Sequence, residues 1–106
     1  MELELIKKHM RVMDDFEDDA IEMYVSWAES KVKDSVTNED MIYDLFFNNN
    51  THYKRAVILL TAHYFQNRLP LTDKPQYNLA FGLQDALTQL EIDFLHYLKE
   101  IEQDEQ

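Results

Sequence analysis

At 106 residues, with a formal net charge of −11 and a hydrophobic fraction of 45%, the chain has the size of one domain and buries about 65% of the surface that its unfolded form exposes. One glycine, two prolines and no cysteine exclude a disulfide framework and a glycine-built phosphate cradle, and leave long runs free of helix breakers, which points to an all-α fold. Charge is net −5 over residues 1–36, 0 over 37–68 and −6 over 69–106, so no basic patch exists to neutralise phosphates and a sequence-reading nucleic-acid binder is excluded.

In chain order, a first short helix is predicted from Glu2 to His9, with Leu3, Ile6 and Met10 on one side. The acidic run Asp14 to Asp19 then opens a long helix to about Val36, its carboxylates complementing the positive end of the helix dipole. Phe16, Ala20, Ile21, Tyr24, Val25, Ala28, Val32 and Val36 recur at three- and four-residue intervals and form one buried stripe. Thr37 and Asp40 make a variant capping box for a short amphipathic helix carrying Met41, Ile42, Leu45 and Phe46, which Asn48-Asn49-Asn50 breaks.

Thr51 can cap a central helix from His52 to about Asn67. Its stretch Ala56 to Phe65 is apolar almost throughout and has to be surrounded. It falls short of the roughly 18 residues of a membrane span. Leu69 to Phe81, with both prolines, reads as a long extended connection, a length that tends to be functional or to dock elsewhere. The last helix is predicted from Leu83 to about Ile101. Leu83, Leu87, Leu90, Phe94, Tyr97 and Ile101 follow a heptad seam, and Ile92, Leu95 and Leu98 add a second apolar flank, so the helix can face its own core and a neighbour at once. The expectation is a small bundle of about four to five helices in a single domain over residues 1–106, with its core over about 3–101 and an acidic, fraying tail over 102–106.

Reactive chemistry is not indicated. His9, His52, His63 and His96 fall on different predicted elements, and Asp93 with His96 is one carboxylate–imidazole pair where a dimetal site needs two plus further carboxylates. Counted from Asp14, a calcium loop would need glycine and glutamate where Asp19 and Val25 stand. His63 reads as a core histidine, and Tyr53, Tyr64 and Trp27 as core or interface aromatics. No catalytic residue, metal or cofactor is expected, and Met1 to Leu5 lacks the tract of a signal peptide, so the protein is expected to be soluble and cytoplasmic.

Four stretches in this order carry a resemblance. They are Leu5 to Val12 with its His9-Met-Arg11-Val12 ending; the acidic run Asp14 to Asp19 leading into Ala20-Ile21-Glu22-Met-Tyr24-Val25 and Ala28-Glu29; Arg55 to Arg68, an aliphatic helix closing in an aromatic, an asparagine and an arginine; and Leu79 with Gly82 to Leu87. Together they resemble the small head-to-tail connector (adaptor) proteins of tailed phages, often labelled phage DNA-packaging proteins. The polar insert from Asn38 to Asn50 and the extended acidic C-terminus depart from that pattern.

The resemblance implies a structural virion protein, assembled in the host cytoplasm into a ring of about twelve copies at the portal vertex. Its partners would be its own copies, the portal protein and the next head-completion or tail component, with DNA passing through unread and no membrane involved. The interface is expected at Arg11, Asn67, Arg68, Leu69, Pro70, Leu71, Pro75, Tyr77, Leu83 and Leu87. Arginine pairs bidentately with carboxylates, which singles out Arg11 and Arg68, although Arg68 can equally cap the central helix. Acidity fits a channel wall that repels phosphate, and equally a solvated exterior. The rival function is an acidic DNA-mimic inhibitor of a basic DNA-handling protein.

Overall fold

In the computed structural model, which describes residues 3–38, 43–66 and 77–104 (without the side chains of 77–81 and 103–104), five helices and no strand occur among the described residues. They are α1 (Leu3–Met10), α2 (Asp18–Asp34), α3 (Asp44–Asn48), α4 (Thr51–Gln66) and α5 (Tyr77–Asp104). The chain is all-α, in keeping with its scarcity of helix breakers.

The central helix α4 packs against α2 on one side and α5 on the other. That position explains why its apolar residues run almost all the way round: Tyr53, Ala56, Val57, Leu60, Thr61 and Ala62 are all buried. On α2 the buried face is Ile21, Val25, Ala28 and Val32, the predicted stripe at spacings of four and three. On α5 it is Ala86, Leu90 and Phe94. Ile6 of α1 and Phe47 of α3 complete the core, both fully buried.

Several predicted boundaries move, each for a physical reason. The acidic run does not all enter α2. The helix starts at Asp18, with Glu17 as N-cap and no side-chain cap, because Asp15 and Asp18 are drawn to Lys7. Phe16 therefore leaves the stripe and stands 94% exposed. In the short helix, residues 39–42 lie outside the described residues, so the capping box and Met41 and Ile42 do too. α3 begins only at Asp44, and its buried residue is Phe47, while Leu45 is 76% exposed. A five-residue helix is too short for spacing to reveal its inner face.

Asn50, rather than Thr51, caps α4. Its Oδ1 accepts a hydrogen bond from the Tyr53 backbone N–H at 2.9 Å, and its Nδ2 donates to Asp93 Oδ2 of α5 at 3.0 Å. One side chain thus closes a helix end and ties two helices together. The last helix starts at Tyr77, earlier than predicted, and runs 28 residues through Gly82 and into the acidic tail. The segment Tyr77 to Phe81 is helical where an extended connection was expected. Gly82 is tolerated there because α4 comes close: a Cβ at this position would lie 3.3 Å from Leu59 Cδ1. Arg55 of α4 donates to the Gly82 carbonyl at 3.3 Å and to Asp85 Oδ2 at 3.0 Å.

Beyond the N-terminal end of α4, α5 continues against α3 through rings. Phe94 meets Tyr43 at 5.0 Å and Phe46 at 5.4 Å, and Tyr97 meets Phe46 at 5.0 Å. Edge and tilted aromatic pairs of this kind each add about 0.5–1.5 kcal/mol beyond their burial. They fasten a helix that has only five residues of its own.

Candidate functional site

The loop from α1 to α2 is built from the end of α1 outward. Arg11 adopts a left-handed backbone, with φ of 60°. Its N–H donates to the Lys8 carbonyl at 3.2 Å, and the Val12 N–H reaches back to the Lys7 carbonyl at 2.9 Å. This paired arrangement closes a helix whose next residue is left-handed, a place usually held by glycine. Val12 then packs partly buried against the core, while the Arg11 side chain is exposed.

Lys7 anchors the remainder of the loop. It is only 4% exposed, and its Nζ lies 2.8 Å from Asp15 Oδ1 and 2.8 Å from Asp18 Oδ1. The hydrogen bond to Asp15 and the ion pair with Asp18 raise the Lys7 pKa above its ordinary value, and the bond from Lys7 lowers that of Asp15. Asp14 Oδ1 accepts from the Phe16 N–H at 3.2 Å. Between these ties Met13 and Phe16 project almost wholly into solvent, at 96% and 94% exposure. A clamped loop displaying two large apolar side chains is an arrangement suited to contact rather than to chemistry.

Two further apolar surfaces lie elsewhere. Tyr24 and Trp27 of α2 meet Tyr64 of α4 in a triangle of rings, with centroids 5.6, 6.2 and 6.1 Å apart; Trp27 keeps 51% and nearby Met23 43% of its surface exposed. At the other end, a groove between α3 and α5 is lined by Leu45, Phe46, Asn49, Asn50 and Tyr97, with Ile92 and Leu95 of α5 exposed. The second apolar flank predicted on the last helix is open to solvent at Ile92 and Leu95.

Among the expected interface residues, Arg11 is exposed at the turn that closes α1. Leu83 and Leu87 are partly buried against this chain's own core. Tyr77 opens α5, and its side chain lies outside the described residues. Asn67, Arg68, Leu69, Pro70, Leu71 and Pro75 also lie outside them. Of the ten, only Arg11, Leu83 and Leu87 have described side chains, Arg11 at the end of α1 and the two leucines on α5. Sequence reasoning missed Met13, assigned Phe16 to the core, and left Trp27 between core and interface. The signal that could have found the loop was a methionine and a phenylalanine flanking two aspartates, a poor sequence for a buried turn.

Among the described residues no group of three or more His, Cys, Asp or Glu converges as a metal site, and no helix is long and apolar enough to cross a membrane. His9 and His96 are exposed, and His52 and His63 are half-buried on α4. No curated protein and no solved structure shows significant similarity to the chain. The model of one family, described as phage gp6-like head-tail connector protein, matches residues 1–101. That match spans all five helices almost to the end of α5, and the chain belongs to the phage gp6-like head-tail connector family.

Proposed function

We propose that the protein is a structural subunit of the virion that assembles into a ring at the portal vertex, extends the DNA channel, and presents the docking surface for a tail or head-completion component. The observation that carries this reading is the family match over residues 1–101. Three separate exposed apolar surfaces among the described residues support it, since a ring subunit has to meet two neighbours and the components above and below. Standard interfaces bury about 1,600 Å² in total, a large share of so small a surface.

In this reading the residues have distinct tasks. The α4 core and its two flanking helices keep the subunit rigid, and Arg11 seeks carboxylates on a neighbour. The carboxylates that face the lumen keep DNA centred and sliding by repulsion, because a lysine-lined wall would release counterions and grip it. The connection after α4 reaches toward the adjacent copy. A contact of one patch with a different patch closes into a ring only when the rotation per subunit is right.

Electron microscopy of the portal vertex tests this directly. Particles made with the protein should carry an added ring of density below the portal, and particles made without it should lack the ring, lose DNA and fail to join tails. Virions that retain their genomes and attach tails without the protein would overturn the reading. Deleting Thr72 to Gln76, which leaves α5 whole, should give a folded helical chain that no longer closes a ring; unchanged ring mass would remove the connection from the interface.

A further inference from the structure

A knob and a hollow stand at opposite ends of the bundle. The knob is the clamped loop from α1 to α2, where Met13 and Phe16 are 96% and 94% exposed. The hollow is the groove between α3 and α5, where two cavities of about 290 and 350 Å³ share Phe46 and Tyr97. Leu45 lines the first cavity and Ile92 the second, and they keep 76% and 43% of their surface exposed. Within one copy the two surfaces cannot meet. Lys7 holds Asp15 and Asp18 at 2.8 Å, which fixes the loop to the start of α2. Near the other end of α2, Lys33 lies 3.5 Å from Asp44, the first residue of α3. Between those contacts, from Asp18 to Lys33, α2 runs about 22 Å. Any Met13 and Phe16 that fill the groove therefore belong to a second copy.

Charge matches the two surfaces as shape does. At the knob Lys7 is engaged by Asp15 and Asp18, and Asp14 accepts from the Phe16 N–H. That leaves Lys8 and Arg11, both exposed and without an ion pair among the described residues, against Glu4 alone in lining the hollow beside the loop. On a chain of net charge −11 this spot is locally positive. The groove is acidic, with Asp93 and Glu100 on its wall beside His96. Asn50 already binds Asp93, whereas Glu100 is exposed and has no ion pair among the described residues. A thioether and a phenyl ring also suit a wall of Phe46 and Tyr97, because sulfur and aromatic edges pack favourably on rings.

We propose that Met13 and Phe16 of one copy insert into the α3–α5 groove of the next copy in the ring, with Lys8 and Arg11 set against Glu100. This rests on the ring reading of the protein's function and names the two surfaces that meet. Knob and groove are different patches, as a closing heterologous contact requires. Each subunit gives its knob to one neighbour and its groove to the other, and the Lys7 clamp keeps the knob in place before the neighbour arrives.

The chain has no cysteine, so introduced thiols report without background. Full-length Met13→Cys, which keeps a small apolar side chain on the knob, and Asn49→Cys in the groove are mixed in equal amounts, assembled on portal and treated with a short bismaleimide cross-linker. A covalent dimer joining one variant to the other is expected, and neither variant alone should give it. Adding Phe16→Ala to the Met13→Cys chain should lower its yield about tenfold or more, and Phe16→Leu, which keeps a large apolar side chain, should restore most of it. A yield indifferent to Phe16→Ala would overturn the inference. A ring visible by electron microscopy without the mixed dimer would also overturn it and leave the ring reading standing. If wild-type protein forms no ring on portal, both fall.

Discussion

Arginine in a left-handed backbone is disfavoured by about 1 kcal/mol relative to glycine, so a chain selected only to fold would place glycine at position 11. Strain held at an exposed side chain points to a use for that side chain. Arg11→Gly should raise stability by about 0.5–1 kcal/mol in urea unfolding while weakening ring assembly; an assembly constant unchanged by the substitution would remove Arg11 as an anchor. The Lys7 clamp makes a pH prediction. Asp15 has its pKa lowered by the hydrogen bond from Lys7, so its contribution is present above the ordinary aspartate pKa of about 4 and is lost as pH falls through the lowered value. Lys7 has its pKa raised, so its side of the pair persists through the neutral range and is lost only in strong alkali. The melting temperature of Lys7→Met should therefore fall below that of wild type at pH 6, with the gap closing as pH drops below about 4. A gap that stays constant to about pH 2 would show that Lys7 contributes only through its packed methylenes and not through its charge.

Gly82 is the one glycine of the chain and sits inside a 28-residue helix, where glycine costs about 1 kcal/mol relative to alanine. The opposing effect is the 3.3 Å approach of a new Cβ to Leu59 Cδ1. Leu59 is only half-buried, and the tip of its side chain can give a few tenths of an ångström. Propensity should win, and Gly82→Ala is expected to stabilise by about 0.5 kcal/mol in thermal melts; a destabilised variant would mean that α4 and α5 are locked at that crossing. The same position marks what the sequence conceals. The stripes of α2 and α4 were legible because each buries a continuous face over about four turns, so spacing alone identifies it. Tyr77 to Phe81 was not, since Pro75 and Gly82 flank it and read as loop, whereas the helix runs on through the glycine. Phe16 fits the spacing of α2 and yet lies outside it, because Lys7 on the preceding helix pulls on Asp15 and Asp18, a contact that no local pattern announces. Phe47 was hidden beside Phe46 in a helix of five residues. The aromatic triangle was named residue by residue but not as a surface, since Tyr24 and Trp27 join Tyr64 only when α2 lies along α4.

At the scale of the whole molecule, a net charge of −11 on 106 residues acts on every encounter, and its sign of effect separates the two functions that acidity allows. Copies of this chain repel one another, so in the ring reading salt favours assembly: the screening length falls from about 10 Å at 0.1 M to about 3 Å at 1 M, and apolar contacts through Met13, Phe16, Trp27, Ile92 and Leu95 are then opposed less strongly. Salt also weakens any pair of opposite charges across the contact, but exposed ion pairs contribute little to begin with, and the relief of general repulsion is the larger effect. A DNA mimic behaves in the opposite way. It competes for a basic groove, and its complex weakens steeply as salt rises, as nucleic acid itself does. Light scattering on the isolated protein across about 0.1 to 1 M sodium chloride should show equal or greater mass with increasing salt, and mixing with portal should drive the same assembly at lower salt, where the portal holds copies together against their repulsion. Tight binding to a basic DNA-handling protein at about 0.1 M, lost at about 1 M and accompanied by no ring under either condition, would transfer the function to mimicry while leaving the fold and its family unchanged.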